Sequence, residues 1–298
     1  MRRVRIYQIL NYYTPREDLD PGFAVLDNSA NERGDWYEYW PIRRFLLSEA
    51  LEEDTFYGFL SPKFRLKTNL IAPQVEAFIE QTPPDTDVVL FSPSIHNSAY
   101  YWNVFEHGEH EHPGLFAVAA RFLRRVDPAT RLEELVTDSR NTVHSNYFIA
   151  RPCFWRAWLE VTERLFEIAE SPDDALGAEL RAPTAYRGKR DVQMKIFVME
   201  RIATWLLARD ERFRACARDP FAARSRVYKL PVALACDALK IAYTTQRRPQ
   251  YRDVFELVSG LRRWLNLQIR LGARLKLGSV QPALRTLRSY WQSGGSAP

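Results

Sequence analysis

A chain of 298 residues, 46% hydrophobic and 27% charged, is long and apolar enough to bury a large core, which excludes intrinsic disorder. Its three cysteines, Cys153, Cys216 and Cys236, are far apart and odd in number, which excludes a disulfide framework and favours a reducing compartment. The net charge of +5 is unevenly placed: residues 247–298 hold ten Lys and Arg against two acids, and the rest of the chain holds 32 bases against 35 acids, so a basic tail looks for an anionic partner.

In chain order, VRIYQILNY (4–12) alternates and is rich in β-formers, a first strand. AVLDNSANERGDW reads as loop with one short strand. EYWPIRRFLLSEAL (38–51) has helical spacing with Pro41 in its first turn. TFYGFLSPKF (55–64) is a strand closing on a Ser-Pro turn, APQVEAFIEQT a helix, and DTDVVLFSPS (85–94) a short apolar strand. Residues 97–107 and 114–126 read as helices, NYFIAR (146–151) as a strand entering a long amphipathic helix, and 191–210 as a strong helix with Asp191 as its N-cap. The remainder is helical: 231–244, 250–277 and a piece near 281–291.

Strands alternate with helices over the first 170 residues and then give way to helices. The pattern predicts an α/β protein, a mostly parallel sheet flanked by helices with a helical C-terminal extension, divided into residues 1–210 and 211–298. Ligands of such sheets bind beyond the carboxyl ends of the strands. That gathers NYYTP, SPKF, SPSIHN and the segment after NYFIARP. No run of eighteen apolar residues is present and the amino terminus has no signal-peptide pattern, so the expected location is cytoplasmic, with attachment at the inner membrane face allowed.

Three of the five histidines fall within six residues, in FEHGEHEHPG. His107, His110 and His112 lack the spacing of a helical zinc site and have no cysteine nearby, so acid/base or binding chemistry ranks ahead of a metal. Glu106 and Glu109 beside them are candidates for a general base. Asp85 and Asp87 precede their strand and read as turn residues, on the edge opposite the one where a diphosphate-bound cation would sit. Arg187, Lys189 and Arg190, ahead of the 191–210 helix, and Lys63 are the supply of cations for a diphosphate. His144 and Asn146 open a strand, and an amide there can read a sugar hydroxyl. In the tail, Leu257, Leu261, Trp264, Leu265 and Ile269 interleave with Arg262, Arg263, Arg270 and Arg274, a basic amphipathic helix over 257–276 that packs on a domain or meets anionic lipid. No nucleic-acid motif accompanies the charge, and no nucleic-acid partner is expected.

GDWYEYWPIRRFL, DTFYGFLSPKFRLKT, DVVLFSP, WNVFEHGEHEHPG, SNYFIARPCFWRAWLE and FVMERIATWL together resemble bacterial glycosyltransferase-like proteins of capsule and lipopolysaccharide synthesis, with the nucleotide-sugar fold called GT-A, over roughly residues 4–210. The resemblance implies transfer of a sugar from a nucleotide-sugar donor to a cell-surface polysaccharide or lipid-linked glycan acceptor. It implies that Tyr7, Tyr12 and Tyr13 cradle the nucleobase and that Ser61 and Lys63 hold ribose or phosphate. The histidine segment then flanks the acceptor: Glu109 or His110, or Glu106, supplies the base, and His107, His112, His144 and Asn146 contact the acceptor. With no Asp-x-Asp at a strand end, no cofactor is required, although Mn²⁺ or Mg²⁺ is allowed. Two alternatives stay open: a non-catalytic glycan-binding or scaffold protein of polysaccharide assembly, and a zinc hydrolase built on His107, His110 and His112.

Overall fold

The computed structural model describes residues 2–93, 95, 97–186, 189–221 and 230–261. The chain divides into two compact units, Met1–Ala223 and Arg224–Pro298. The first opens with β1 (Arg3–Asn11), β2 (Ala24–Asn28), α1 (Tyr39–Ser48) and β3 (Thr55–Leu60). Next come the short α2 (Phe64–Thr68), α3 (Ala72–Gln81), β4 (Val88–Leu90), α4 (Val104–Glu111) and α5 (Leu115–Val126). They are followed by β5 (Phe148–Ala150), α6 (Pro152–Glu170), α7 (Ala175–Arg181), a hairpin of β6 (Pro183–Tyr186) and β7 (Lys189–Gln193), α8 (Met194–Arg209) and β8 (Ala215–Ala217). In the second unit are α9 (Leu230–Gln246) and a helix over 250–261. The greater part of the predicted 257–276 helix lies outside the described residues, as does the piece near 281–291. Of its apolar positions, Leu257 and Leu261 are described, and both are exposed.

Six strands form one sheet in the order β2-β1-β3-β5-β4-β8, parallel except for β5, which runs against β3 and β4. The chain is thus an α/β protein with a mostly parallel sheet flanked by helices and a helical C-terminal region. The central strands are continuous apolar runs because both faces are covered. Along β3, Tyr57 and Phe59 join one core while Phe56 and Leu60 join the other; β5 divides Phe148 and Ala150 from Ile149 in the same way. Gly58 faces Ile149 across the β3–β5 pair, and a Cβ there would fall 2.7 Å from the Ile149 side chain, which would have to shift to admit it.

Several sequence expectations shift by identifiable local chemistry. The turn expected at Ser61-Pro62 is present after the strand ends at Leu60, but the chain then enters the short helix α2, which was not expected. The expected strand over 85–94 is paired for three residues only. The expected helix over 97–107 divides into a 3₁₀ turn at Ser98–Tyr100 and α4, because the Asn103 side chain accepts from the Phe105 and Glu106 amides and fixes the helix start there. Asp191 is not an N-cap: residues 189–193 pair with 183–186 as a strand, and α8 begins after Gln193. The short α7 and β8 were not anticipated, and β8 carries the sheet past the predicted boundary at residue 210.

Asp85 and Asp87 lie before β4, at the amino edge of the parallel strands, and serve β8. Asp85 pairs with Arg214 at 3.1 Å, and the Asp87 carboxylate accepts the Arg214 amide at 3.0 Å.

α8 is apolar nearly all round and is buried from Met194 to Leu206 apart from Glu200, as a helix enclosed by others must be. At its start the Lys195 ammonium is only 1% exposed. It reaches Asp35 at 2.6 Å and Glu170 at 3.7 Å and stands 4.0 Å over the Trp36 ring. Trp36 donates its indole N–H to Glu170, and Arg33 bridges Asp35 and Glu170 from outside. A buried ammonium is tolerated only when paired this fully. The network ties the 3₁₀ turn Gly34–Trp36 to the end of α6 and the start of α8.

Lys195→Met keeps the side-chain bulk and removes the charge. We expect urea unfolding to register a loss of about 2 kcal/mol. That is below the roughly 3–5 typical of a broken buried pair, because Asp35 and Glu170 keep Arg33 and contact with water. An unchanged midpoint would deny the network its structural role.

Candidate active site

The connection from β1 leads to β2 on one side of it, and the connection from β3 leads on toward β4 on the other. Neighbouring strands whose exits diverge leave a crevice beyond their carboxyl ends, where open α/β sheets bind ligands. A cleft of about 50 Å³ lies there. Its floor is apolar, with Phe59, Ile42, Ile196 and Met199; its polar walls are Glu38, Ser61, Lys67, Ser145, Asn146 and Glu200.

Each wall is held for a physical reason. Tyr37 and Glu38 follow directly from the turn fixed by Lys195, and Tyr37 adopts φ 48° and ψ −133°, a conformation an L-residue rarely takes. Ser145 and Asn146 also lie in the left-handed region, at φ 60° and 54°. Such positions cost of the order of 1–3 kcal/mol each and persist where the surroundings over-determine them, commonly at functional sites. Because β5 runs antiparallel, the residues ahead of it reach the carboxyl edge of β3. The Ser61 hydroxyl meets the Tyr147 hydroxyl at 2.6 Å, and Lys67 donates to the Ser145 hydroxyl at 2.8 Å. The segment after β5, expected at this edge, leaves from the opposite one.

Glu200 is a lone carboxyl in the buried face of α8. It is open to the cleft and surrounded by protein elsewhere. Burial raises its pKa and Glu38 raises it further, while Arg201 and Lys67 oppose the rise. Among the described residues, neither the Glu38 nor the Glu200 carboxyl has a hydrogen-bonding or ion-pair partner, and the Asn146 side-chain oxygen is buried without one. Arg201, next along the helix, turns the other way: it donates to the Val104 and Phe197 carbonyls and lies against Gly108, where a Cβ would come within 2.6 Å of its Nε. At the outer end of β1, Tyr12 and Tyr13 are exposed and meet edge to face at 5.1 Å. Glu38 and Tyr37 are close enough to Tyr13 to help raise its phenol pKa, after burial.

No family model, curated protein or solved structure matches the chain.

The sequence-predicted residues separate into several places. Ser61 and Asn146 line the cleft; Tyr12 and Tyr13 are not in its lining but stand exposed just past the end of β1. Tyr7 does not face it: its ring packs between Phe45 and Phe59 in the core, because it is a mid-strand residue. Lys63 is exposed at the start of α2, and Lys67, one turn later, is the lysine of the cleft. Glu109 is occupied structurally, its two oxygens accepting the Gly114 and Phe116 amides at the start of α5. Glu106 accepts the Trp102 amide ahead of its own helix. The three histidines in and just after α4 diverge. His112 stacks on Phe197 at 3.5 Å, His110 is exposed near Tyr101, and His107 points inward toward His144, which meets the Ser98 hydroxyl at 3.1 Å. Among the described residues no three His, Cys, Asp or Glu side chains are grouped as a metal's ligands would be. Arg187 lies outside the described residues, and Lys189 and Arg190 are described only as the backbone of β7.

Glu38, Lys67 and Glu200 were missed. For Glu200 a signal existed: Glu-Arg interrupts IFVMERIATWLL, and a charge inside a helix apolar on every side must have a purpose. Nothing in the spacing of Glu38 or Lys67 sets them apart from solvated residues.

Burial, aided by His144 and Arg201, lowers His107 to about 3. An unfolded histidine binds its proton near 6.5, so this neutral ring contributes its full stability above about pH 6.5 and loses it as pH falls from there toward 3. NMR titration should leave the His107 ring neutral from pH 8 to 4, and His107→Phe should flatten that part of the stability profile. A midpoint for His107 near 6.5 would contradict its burial.

Proposed function

We propose that the chain is a metal-independent glycosyltransferase, moving a sugar from a nucleotide-sugar donor to a polysaccharide or lipid-linked glycan, with the cleft between Glu38 and Glu200 as its reaction site. The observation that carries this reading is the cleft itself: two unpartnered carboxyls and a lysine at the carboxyl edge of β3, on backbone held in three rare conformations. A displacement at a sugar carbon needs a base to take the acceptor's proton, and a glutamate with a raised pKa is suited to that near neutral pH. Glu200 fills that role in place of Glu109, whose oxygens are committed to backbone amides. Tyr12 and Tyr13 offer aromatic faces for a nucleobase. Lys67 stands where a leaving phosphate would need a cation.

No described helix is long and apolar enough to cross a membrane. In this reading the chain works at the inner membrane face, where a lipid-linked acceptor would be met, and its basic tail meets anionic lipid. A second reading, glycan binding without transfer, is favoured by one observation: Lys67 is the single cation among the described residues lining the cleft.

A thermal-shift series with nucleoside diphosphates and nucleotide sugars, with and without chelator, tests the transferase reading. One nucleotide class should raise the melting temperature regardless of chelator, since a ligand at a hundred times its dissociation constant adds about 2.7 kcal/mol. With the donor so found, Glu200→Gln should lower kcat by about 10²–10⁴-fold without loss of fold. In the wild type, activity should rise with pH through a midpoint above the ordinary glutamate value of 4.5. If no nucleotide shifts the transition, the transferase reading fails.

A further inference from the structure

The charged lining of the cleft is two carboxyls against one ammonium. The Glu38 and Glu200 carboxyls and the Asn146 oxygen are acceptors without partners among the described residues. Of the donors around them, the Ser61 hydroxyl is engaged with Tyr147 and the Tyr39 hydroxyl with Glu163, while the Lys67 ammonium gives one of its three N–H groups to Ser145. An acceptor-rich wall is satisfied by a ligand rich in donors. A phosphate or a carboxylate brings only acceptors and like charge. A ring of hydroxyls brings a donor at nearly every carbon, and the apolar floor of Phe59 and Ile42 suits the carbon face of such a ring. The cleft, of about 50 Å³ and open to solvent on one side, has room for a ring-sized group.

We propose that this cleft is a subsite for a single neutral or amino-bearing sugar ring, which it selects over acidic sugars, and that the donor's diphosphate lies outside it. The inference rests on the transferase reading only for the ring's fate; the preference follows from the lining alone. With two carboxyls against the one Lys67 ammonium, the lining disfavours a uronate. An ammonium on the ring adds donors and is welcomed. Glu200, as carboxylate, would accept a hydrogen bond from a ring hydroxyl and take its proton when that ring is the acceptor's, and Asn146 fixes the ring's orientation.

The test is saturation-transfer NMR on the full chain with three probes: a methyl hexoside, a methyl 2-amino-2-deoxyhexoside and a methyl hexuronide. A thermal shift with nucleoside diphosphates is run beside it. The first two probes should contact the protein, with the hexuronide at least tenfold weaker. The double variant Glu38→Gln/Glu200→Gln should bring the hexuronide to within about threefold of the hexoside, and Glu38→Gln alone should move it part of the way. Asn146→Gly, which keeps the left-handed backbone and removes the amide, should weaken the hexoside.

Equal binding of hexoside and hexuronide by the wild type overturns the proposal. So does absence of hexoside contact in a protein that a nucleoside diphosphate stabilises, an outcome that leaves the transferase reading in place. Hexoside contact with no nucleotide stabilisation supports the subsite and removes the transferase. Absence of both overturns both.

Discussion

The buried ammonium of Lys195 is the constraint from which the site's geometry descends. With its charge almost wholly out of water, it demands Asp35, Glu170 and the Trp36 ring around it, and these come from two stretches of chain remote from its own. Satisfying one charge therefore fixes the turn at Gly34–Trp36, the end of α6 and the first turn of α8 relative to one another. Glu38 lies three residues beyond Asp35, and Glu200 lies five beyond Lys195, so the same network sets both carboxyls at one cleft. The desolvation cost of such a group is usually larger than what its pairing returns, which makes it a device for geometry more than for stability.

The second organising feature is the reversed strand. A wholly parallel sheet would carry the chain after β5 to the ligand edge; running β5 backwards delivers the loop before it instead, with Ser145 and Asn146 in left-handed conformations and Tyr147 against Ser61. Strain, unpaired acceptors and a raised carboxyl pKa then fall in one place. Each departs from what a sequence under selection for stability alone would tolerate, and their coincidence gives the cleft a stronger claim than any one of them.

Much of the fold was legible because periodicity reports burial. The apolar runs of β1, β3, β4 and β5 and the 3.6-residue spacing of α1, α3, α5 and α6 identified those elements directly. Elements fixed by tertiary pairing were not legible: β8 is three residues of ACA held by β4, and β7 reads as the start of a helix until β6 pairs with it. The site was read less well, for a related reason. His107, His110, His112, Glu106 and Glu109 stood out by density, yet helix α4 sends them in different directions and spends the glutamates on backbone amides. Ser61 and Asn146 were found because turn residues at strand ends follow from topology. Glu38 and Glu200, 162 positions apart, come together only through Lys195, and no local pattern carries that information.

The central claim is that ligands meet this chain between Glu38 and Glu200 and not at the histidine segment. Hydrogen exchange read by mass spectrometry on the full chain, with and without a stabilising nucleotide sugar, tests it directly. Slowed exchange confined to peptides covering 36–40, 61–68 and 144–148, together with the Tyr12–Tyr13 segment that would hold the nucleobase, is the predicted result. Protection over 104–114 with those segments unchanged would contradict the account and return the site to the histidines.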